Sequence, residues 1–241
     1  VSAGHLFKKI FKTKRIKIFP LDSEHYSLYF FLKNYSHTNN SFKKVYLTAS
    51  GGPFLKMNTN KLNKINFADS IAHPKWSMGE KNSFDSSTMV NKCLEIIEAH
   101  YLFDIPYDKL SLIIHPEALI HSIIEFYNYN TTMNYFYHDM KIPLINMFQE
   151  IANIKNFPKI DKYQFYKNHN MSFFKPKNNQ YPTIKIFEKM NKNEPKNIIK
   201  FNCANEFAFN LFKSGKIKFL DIHKIIKYAL SIELKLSVNN I

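Results

Sequence analysis

Two carboxylates, Asp22 and Glu24, stand two positions apart just after the apolar-basic run Arg15 to Pro20. That run reads as a short strand, and on an extended segment residues i and i+2 point to the same side. Carboxylates brought together repel, so one must protonate or a cation must sit between them. Ligands that are all oxygen suit Mg2+ or Mn2+. The alternative is an exposed acidic turn. A second group comprises Asn91 and Glu95, four apart and so on one helical face, with Lys92 adjacent and Ser86 upstream. Neutral donors plus one ammonium make a set suited to phosphate; the alternative is a solvated helix face. Ser50-Gly51-Gly52 after a strand could bring backbone N–H groups to an anion, but it is neither a Walker loop nor a three-glycine dinucleotide fingerprint. His73, Trp76 and Met78 fall in a loop, where an apolar Trp is costly unless it covers something. A loop clamped onto its own core would also satisfy it. His115 and His121 have no zinc-site spacing and read as structural histidines. Cys93 and Cys203 read as buried reduced thiols.

The elements that must position these groups follow from periodicity. Helices are expected over Ser2 to Lys14 and Tyr26 to Leu32. A strand over Lys44 to Thr48 opens into the Ser50 to Pro53 turn. A helix from Met89 to Leu102, N-capped among Asp85 to Thr88, carries the apolar stripe Val90, Leu94, Ile97 and Tyr101. Leu110 to His115 reads as a strand, and His121 to Tyr127 with Thr132 to Tyr137 as a hairpin around Asn128-Tyr129-Asn130. Asn153 to Gln180 reads as a long connection. Helices then follow over Thr183 to Met190, Asn202 to Ser214 (ended by Gly215) and Asp221 to Leu234. The expected fold is an α/β, α+β-like catalytic domain, a mixed sheet with helices packed on it, followed by a partial α-helical C-terminal domain. The expected boundaries are residues 1–150 for the catalytic domain, 151–182 for a connector and 183–241 for the helical part.

Composition narrows the partners. Hydrophobic residues make up 45% of the chain, ordinary for a buried core. No apolar run approaches the roughly eighteen uncharged residues of a membrane span, so a soluble protein is expected. The formal net charge is +15, yet Arg15 is the only arginine. Lys, Asn, Ile, Phe and Tyr, all abundant here, have the codons richest in A and T. The charge is therefore read as a mutational bias, and no nucleic-acid partner is expected; a dedicated binder would use the arginine fork. A chain that begins at Val1 inside an amphipathic helix reads as a fragment.

Taken in order, the motifs form a pattern. Leu21-Asp22-Ser23-Glu24-His25, Thr48-Ala49-Ser50-Gly51-Gly52-Pro53-Phe54, His73-Pro74-Lys75-Trp76-Ser77-Met78-Gly79 and Asp85-Ser86-Ser87-Thr88-Met89-Val90-Asn91-Lys92-Cys93-Leu94-Glu95 come first. Ile114-His115-Pro116, Ile120-His121-Ser122, Asp139-Met140-Lys141-Ile142-Pro143, Tyr181-Pro182 and Asn202-Cys203-Ala204-Asn205-Glu206 follow. This succession resembles the deoxyxylulose-phosphate reductoisomerases of the methylerythritol phosphate pathway. The resemblance implies NADPH- and divalent-metal-dependent isomeroreduction of 1-deoxy-D-xylulose 5-phosphate to 2-C-methyl-D-erythritol 4-phosphate, in isoprenoid precursor synthesis. It implies Asp22, Glu24 and Glu95 as ligands of Mg2+ or Mn2+. Ser23, Ser50, Ser86, Asn91, Lys92, Trp76 and His73 would bind substrate, with Trp76 on a lid. Glu24, His73 and His121 would be catalytic, His115 would support the site, and Met78 and Gly79 would face the nicotinamide of NADPH. The NADPH-binding domain is expected to lie outside these residues, leaving the chain inactive alone. A homodimer in a bacterial cytoplasm, or alternatively a plastid stroma, is expected. The rival readings are a non-catalytic scaffold and a basic nucleic-acid-binding module. Cys93 for a glycine, Glu80 for a basic or neutral residue and His138 for a proline depart from the family pattern.

Overall fold

The computed structural model describes residues 1–14, 16–34, 42–73, 78–153 and 170–234. These comprise helices α1 (Gly4–Lys14), α2 (Ser23–Asn34), α3 (Phe67–Ile71), α4 (Glu80–Thr88), α5 (Val90–Phe103), α6 (Lys141–Ala152), α7 (Pro182–Lys189), α8 (Pro195–Lys213) and α9 (Asp221–Ser231). The strands are β1 (Phe42–Ala49), β2 (Leu110–Ile114), β3 (Ile120–Phe126) and β4 (Thr131–Tyr135). The expected mixed sheet with packed helices is what forms. Two compact units interleave along the chain. A helical unit takes Val1–Lys14, Gly51–Tyr107 and Pro176–Ile241, and a sheet unit takes Arg15–Ser50 and Asp108–Lys175.

In the sheet unit the strand order is β2-β1-β3-β4. β1 pairs parallel with β2 and antiparallel with β3, and β3 pairs antiparallel with β4. Val45, Leu47 and Ala49 are buried on the central strand β1, and the first five residues of β3 are buried in an unbroken run. A strand covered on both faces loses the in-out alternation of an exposed one. α2 supplies Leu28 and Phe31 to this core. Parallel pairing puts the carboxyl ends of β1 and β2 at one edge, with Ala49 beside Ile114 and the His115 amide donating to the Ala49 carbonyl at 2.7 Å. The start of β3 reaches the same edge, where the Thr48 hydroxyl donates to the Ile120 carbonyl at 2.5 Å. Ser50, His115 and His121 therefore emerge together, at the end of the sheet where open α/β folds collect ligands.

Several expectations are corrected. Residues 16–20 form no strand. Asp22 instead caps α2, its Oδ1 accepting from the Glu24 amide at 3.2 Å and its carbonyl from Tyr26 at 2.7 Å. Asp22 and Glu24 thus share a helix start and not an extended segment. Asp85 to Thr88 are not N-caps but the last turn of α4. Met89 divides α4 from α5 in a left-handed conformation, φ 62°, that Gly or Asn usually fills. Helix α6 was not anticipated, and α8 starts at Pro195, a residue suited to a helix's first turn because it has no N–H to satisfy.

In the helical unit, α8 packs on α4 through rings: Phe84 lies 5.1 Å from Phe209 and 5.9 Å from Phe212. The turn after β1 enters this unit at Gly51 and Gly52, with φ of 87° and 64°. A Cβ on Gly52 would stand 2.9 Å from the Ser86 carbonyl oxygen. Gly52→Ala combines that clash with a left-handed backbone and is expected to lower stability by about 1–3 kcal/mol; a denaturant midpoint equal to wild type would contradict this.

In the sheet unit Glu150 of α6 receives Lys17 at 2.6 Å, Lys33 at 2.8 Å and the Tyr29 hydroxyl at 2.7 Å. Burial raises its carboxyl, but these three partners outweigh burial and hold it at about 2 against an ordinary 4.5. A folded value below the unfolded one contributes stability above pH 4.5 that is lost as pH falls toward 2. Thermal unfolding followed by circular dichroism is expected to show a shallower decline across that window in Glu150→Gln than in wild type. Equal slopes would remove Glu150 from the acid response.

Candidate metal and substrate site

The sheet unit contributes Asp22, Ser23 and Glu24 at the start of α2. The positive end of the helix favours two carboxylates there. The Ser23 hydroxyl donates to Glu24 Oε2, and Ser23 is buried while the Asp22 side chain is 42% exposed. His25, buried behind them, places Nδ1 3.9 Å from Asp22 Oδ1. One turn on, Ser27 and Ser122 share a 2.5 Å hydrogen bond, which ties α2 to β3 next to His121. His121 is buried, stacks on Phe136 at 3.9 Å and sets Nε2 3.1 Å from the Phe136 carbonyl. A carbonyl only accepts, so Nε2 is the donor of that hydrogen bond. His115, fully buried, sets Nδ1 3.0 Å from the Ser172 carbonyl and 3.1 Å from Glu117 Oε2.

The helical unit contributes Ser86, Asn91, Lys92, Glu95 and His73. Glu95 is buried, and both its oxygens are engaged on its own helix: Asn91 Nδ2 donates to Oε1 and Lys92 Nζ to Oε2, each at 2.6 Å. Asn91 and Lys92, read from the sequence as phosphate donors, therefore also compensate this carboxylate. Deleting one member of such a buried pair leaves an isolated charge. Burial first, and then the charge of Lys92, lower the His73 imidazole to about 4, so it is neutral at physiological pH. Ser86 is half-exposed between buried Asp85 and buried Ser87. Met78 and Gly79 precede α4, and among the described residues nothing lies within 4 Å of where a Gly79 Cβ would stand. Trp76, with Pro74, Lys75 and Ser77, lies outside the described residues.

Several contributors escaped the sequence reading. The Tyr181 hydroxyl donates to the Gly51 carbonyl at 2.7 Å, and the Gln180 amide donates to the carbonyls of Phe54 and, at 2.8 Å, Leu55. They pin the glycine turn from a segment some 130 residues away, a distance over which no local pattern carries a signal. Tyr181 was noted only as part of a motif. Asn205 and Asp85 are a second such pair, joined at 2.8 Å.

The family model described as the 1-deoxy-D-xylulose 5-phosphate reductoisomerase C-terminal domain matches residues 18–103, and a second, the DXP reductoisomerase C-terminal domain, matches 137–241. A reductoisomerase of Clostridium kluyveri is 36% identical over 236 residues, covering 96% of this chain and 59% of the relative. An Ehrlichia canis relative is 39% identical over 234 residues, again covering 96% and 59%. The chain thus spans about three-fifths of the length of these relatives. A crystal structure of DOX-P reductoisomerase with NADPH, fosmidomycin and magnesium superposes with a TM-score of 0.85 at 31% identity, covering 95% of this chain and 58% of that one. The Zymomonas mobilis enzyme in complex with NADPH gives a TM-score of 0.84 at 30% identity, covering 99% and 61%. The chain belongs to the 1-deoxy-D-xylulose 5-phosphate reductoisomerase family, whose C-terminal domains it matches.

Proposed function

We propose that this chain supplies the metal and substrate site for NADPH-dependent isomeroreduction of 1-deoxy-D-xylulose 5-phosphate to 2-C-methyl-D-erythritol 4-phosphate. The observation that carries the reading is Glu95, a buried carboxylate held on one helix turn by Asn91 and Lys92, in a family whose crystal structures include magnesium and NADPH complexes. Asp22, Glu24 and Glu95 would hold one divalent ion. Their donors are all carboxylate oxygen, which fits Mg2+ or Mn2+ and does not favour a soft metal. When bound, the ion supplies Lewis-acid polarisation of the ketone and a template for its neighbouring hydroxyls.

This chain's own residues would do the rest. Ser86, Asn91 and Lys92 would bind the phosphate, whose remote binding energy can be used to orient the reacting carbons. Ser23 and Ser50 would hold hydroxyls. His73, neutral near pH 7, could donate or accept a hydrogen bond without adding charge beside the cation. His121, oriented by its Nε2 hydrogen bond to the Phe136 carbonyl, would line the site as a catalytic residue. Met78 and Gly79 would face the nicotinamide. The three-glycine fingerprint for the pyrophosphate is not among the 241 residues, so NADPH would rest mainly on other parts of the whole enzyme.

The reading extends to a homodimer. Leu144, Phe148 and Ile151 are exposed on one face of α6, an apolar stripe suited to a second copy. Among the described residues no helix is long and apolar enough to cross a membrane. We place the protein in a bacterial cytoplasm; a Plasmodium falciparum relative at 36% identity is named as apicoplastic.

Calorimetric titration with Mn2+ tests the site. Glu95→Gln is expected to weaken Mn2+ binding at least about tenfold, a loss of about 1.4 kcal/mol, while leaving the circular dichroism spectrum of the fold intact. A folded variant with wild-type Mn2+ affinity would exclude Glu95 as a ligand and return the scaffold reading. For assembly, sedimentation equilibrium is expected to report twice the chain mass of 28.6 kDa, and a monomer at micromolar concentration would remove the dimer.

A further inference from the structure

We propose that Asp85, held by Asn205 and Lys81, is a positioning residue for the phosphate end of the substrate site. The inference rests on the function proposed above and assigns a role to a pair of buried groups that function left unused.

Asp85 is 3% exposed, in the last turn of α4. A carboxylate so placed needs charge or hydrogen-bond compensation. Both oxygens receive it: Asn205 Nδ2 donates to Oδ1 at 2.8 Å, and Lys81 Nζ, one turn back on α4, pairs with Oδ2. Lys81 also reaches Glu206 at 3.3 Å. Asn205 on α8 is completely buried, and its own Oδ1 has no hydrogen-bond partner among the described residues. The amide is thus committed to Asp85 while its carbonyl goes unsatisfied. If the seam served stability alone, apolar residues of similar volume would do it as well or better. A buried polar pair that is only partly satisfied calls for a different explanation, and location provides one.

Ser86 follows Asp85 directly and is the half-exposed residue of that turn. The Ser86 carbonyl accepts from Met89 at 3.2 Å and faces Gly52 closely, while the Asp85 carbonyl receives the Thr88 hydroxyl at 3.2 Å. After left-handed Met89, α5 begins and presents Asn91 and Lys92 within its first turn. The rotation of α4 about its axis therefore decides where Ser86 stands relative to Asn91 and Lys92. The ring contacts of Phe84 with α8 are apolar, and apolar attraction is less directional than a hydrogen bond. The start of α4 has no side-chain cap, because Gly79 occupies that position. Of the polar links from α4 to α8, the ion pairs Lys81–Glu206 and Glu80–Lys213 end on partly exposed side chains, and the hydrogen bond from Asn205 to Asp85 is the buried one, next to Ser86.

The test uses the full chain with saturating Mn2+, titrated by calorimetry with 1-deoxy-D-xylulose 5-phosphate and with unphosphorylated 1-deoxy-D-xylulose. Asn205→Leu is expected to weaken the phosphorylated sugar about tenfold and the unphosphorylated sugar less than about twofold. Mn2+ affinity should be unchanged. Should Asn205→Leu not fold, Asn205→Ser, too short to reach Asp85, is read in the same way. The exchanged pair Asp85→Asn with Asn205→Asp rebuilds an amide–carboxylate hydrogen bond and is expected to recover most of the lost affinity. Wild-type affinity in the single variants overturns the proposal. So does an equal loss for both sugars and Mn2+, or failure of the exchange to rescue, since these mark a merely structural seam. Ser86→Ala separates the two levels. If it and wild type bind both sugars alike, the phosphate reading falls and this proposal with it. If Ser86→Ala loses phosphate preference while Asn205→Leu keeps it, only the positioning role is overturned.

Discussion

A carboxylate removed from water must be compensated where it stands, and the helical unit is organised around two of them. Glu95 and Asp85 are both 3% exposed, on consecutive helices separated by one left-handed residue. Each is answered by a lysine and an amide: Lys92 and Asn91 for Glu95, Lys81 and Asn205 for Asp85. The partners of Glu95 lie on its own helix, so that carboxylate is preorganised locally. The amide partner of Asp85 comes from α8, which ties that long helix to the end of α4. Coulombic compensation at low dielectric is strong and directional, and it constrains the geometry more tightly than the surrounding rings do.

The sheet unit solves a different problem, which is to bring chemically distinct groups to one edge. Parallel pairing of β1 with β2 places Ser50 and His115 side by side, and antiparallel β3 delivers His121 to the same edge. The Ser27–Ser122 hydrogen bond carries the register of the sheet into α2, whose first turn holds Asp22 and Glu24. A helix N-terminus tolerates adjacent carboxylates because its free N–H groups face them. The local chemistry thereby supports an acidic pair that bulk water would otherwise have to screen.

The residues expected to depart from the family pattern each have local contacts of their own. Cys93, in place of a glycine, is completely buried, and burial pushes its thiol far up, so it packs as a small apolar group. Glu80 pairs with Lys213 of α8 and so adds to the α4–α8 seam. His138 stacks on Tyr137 with ring centroids 4.3 Å apart. A lysine-rich composition is used in the same seam, where Lys213 also sits 5.5 Å over Phe67.

Local order was legible in the sequence wherever neighbours in the chain decide it. The strand Lys44 to Thr48, the glycine turn, the hairpin at Asn128-Tyr129-Asn130 and the last three helices all rest on periodicity or turn chemistry, which act over a few residues. The run of motifs likewise pointed to the family and to each candidate residue by type. Where long-range packing decides, the sequence was silent or misleading. Arg15 to Pro20 has a strand's composition, but the described part of it forms no strand and leads into a helix cap. Met89 takes a left-handed conformation that its side chain does not favour, because α4 and α5 are each held by the rest of the helical unit. The interleaved units, the pinning of Gly51 by Tyr181 and the hold of Asn205 on Asp85 join residues more than a hundred positions apart. Sequence determined which chemical groups this chain carries; tertiary structure decided which partner each buried group would have, because compensation of a buried dipole or charge depends on distance in space and not along the chain.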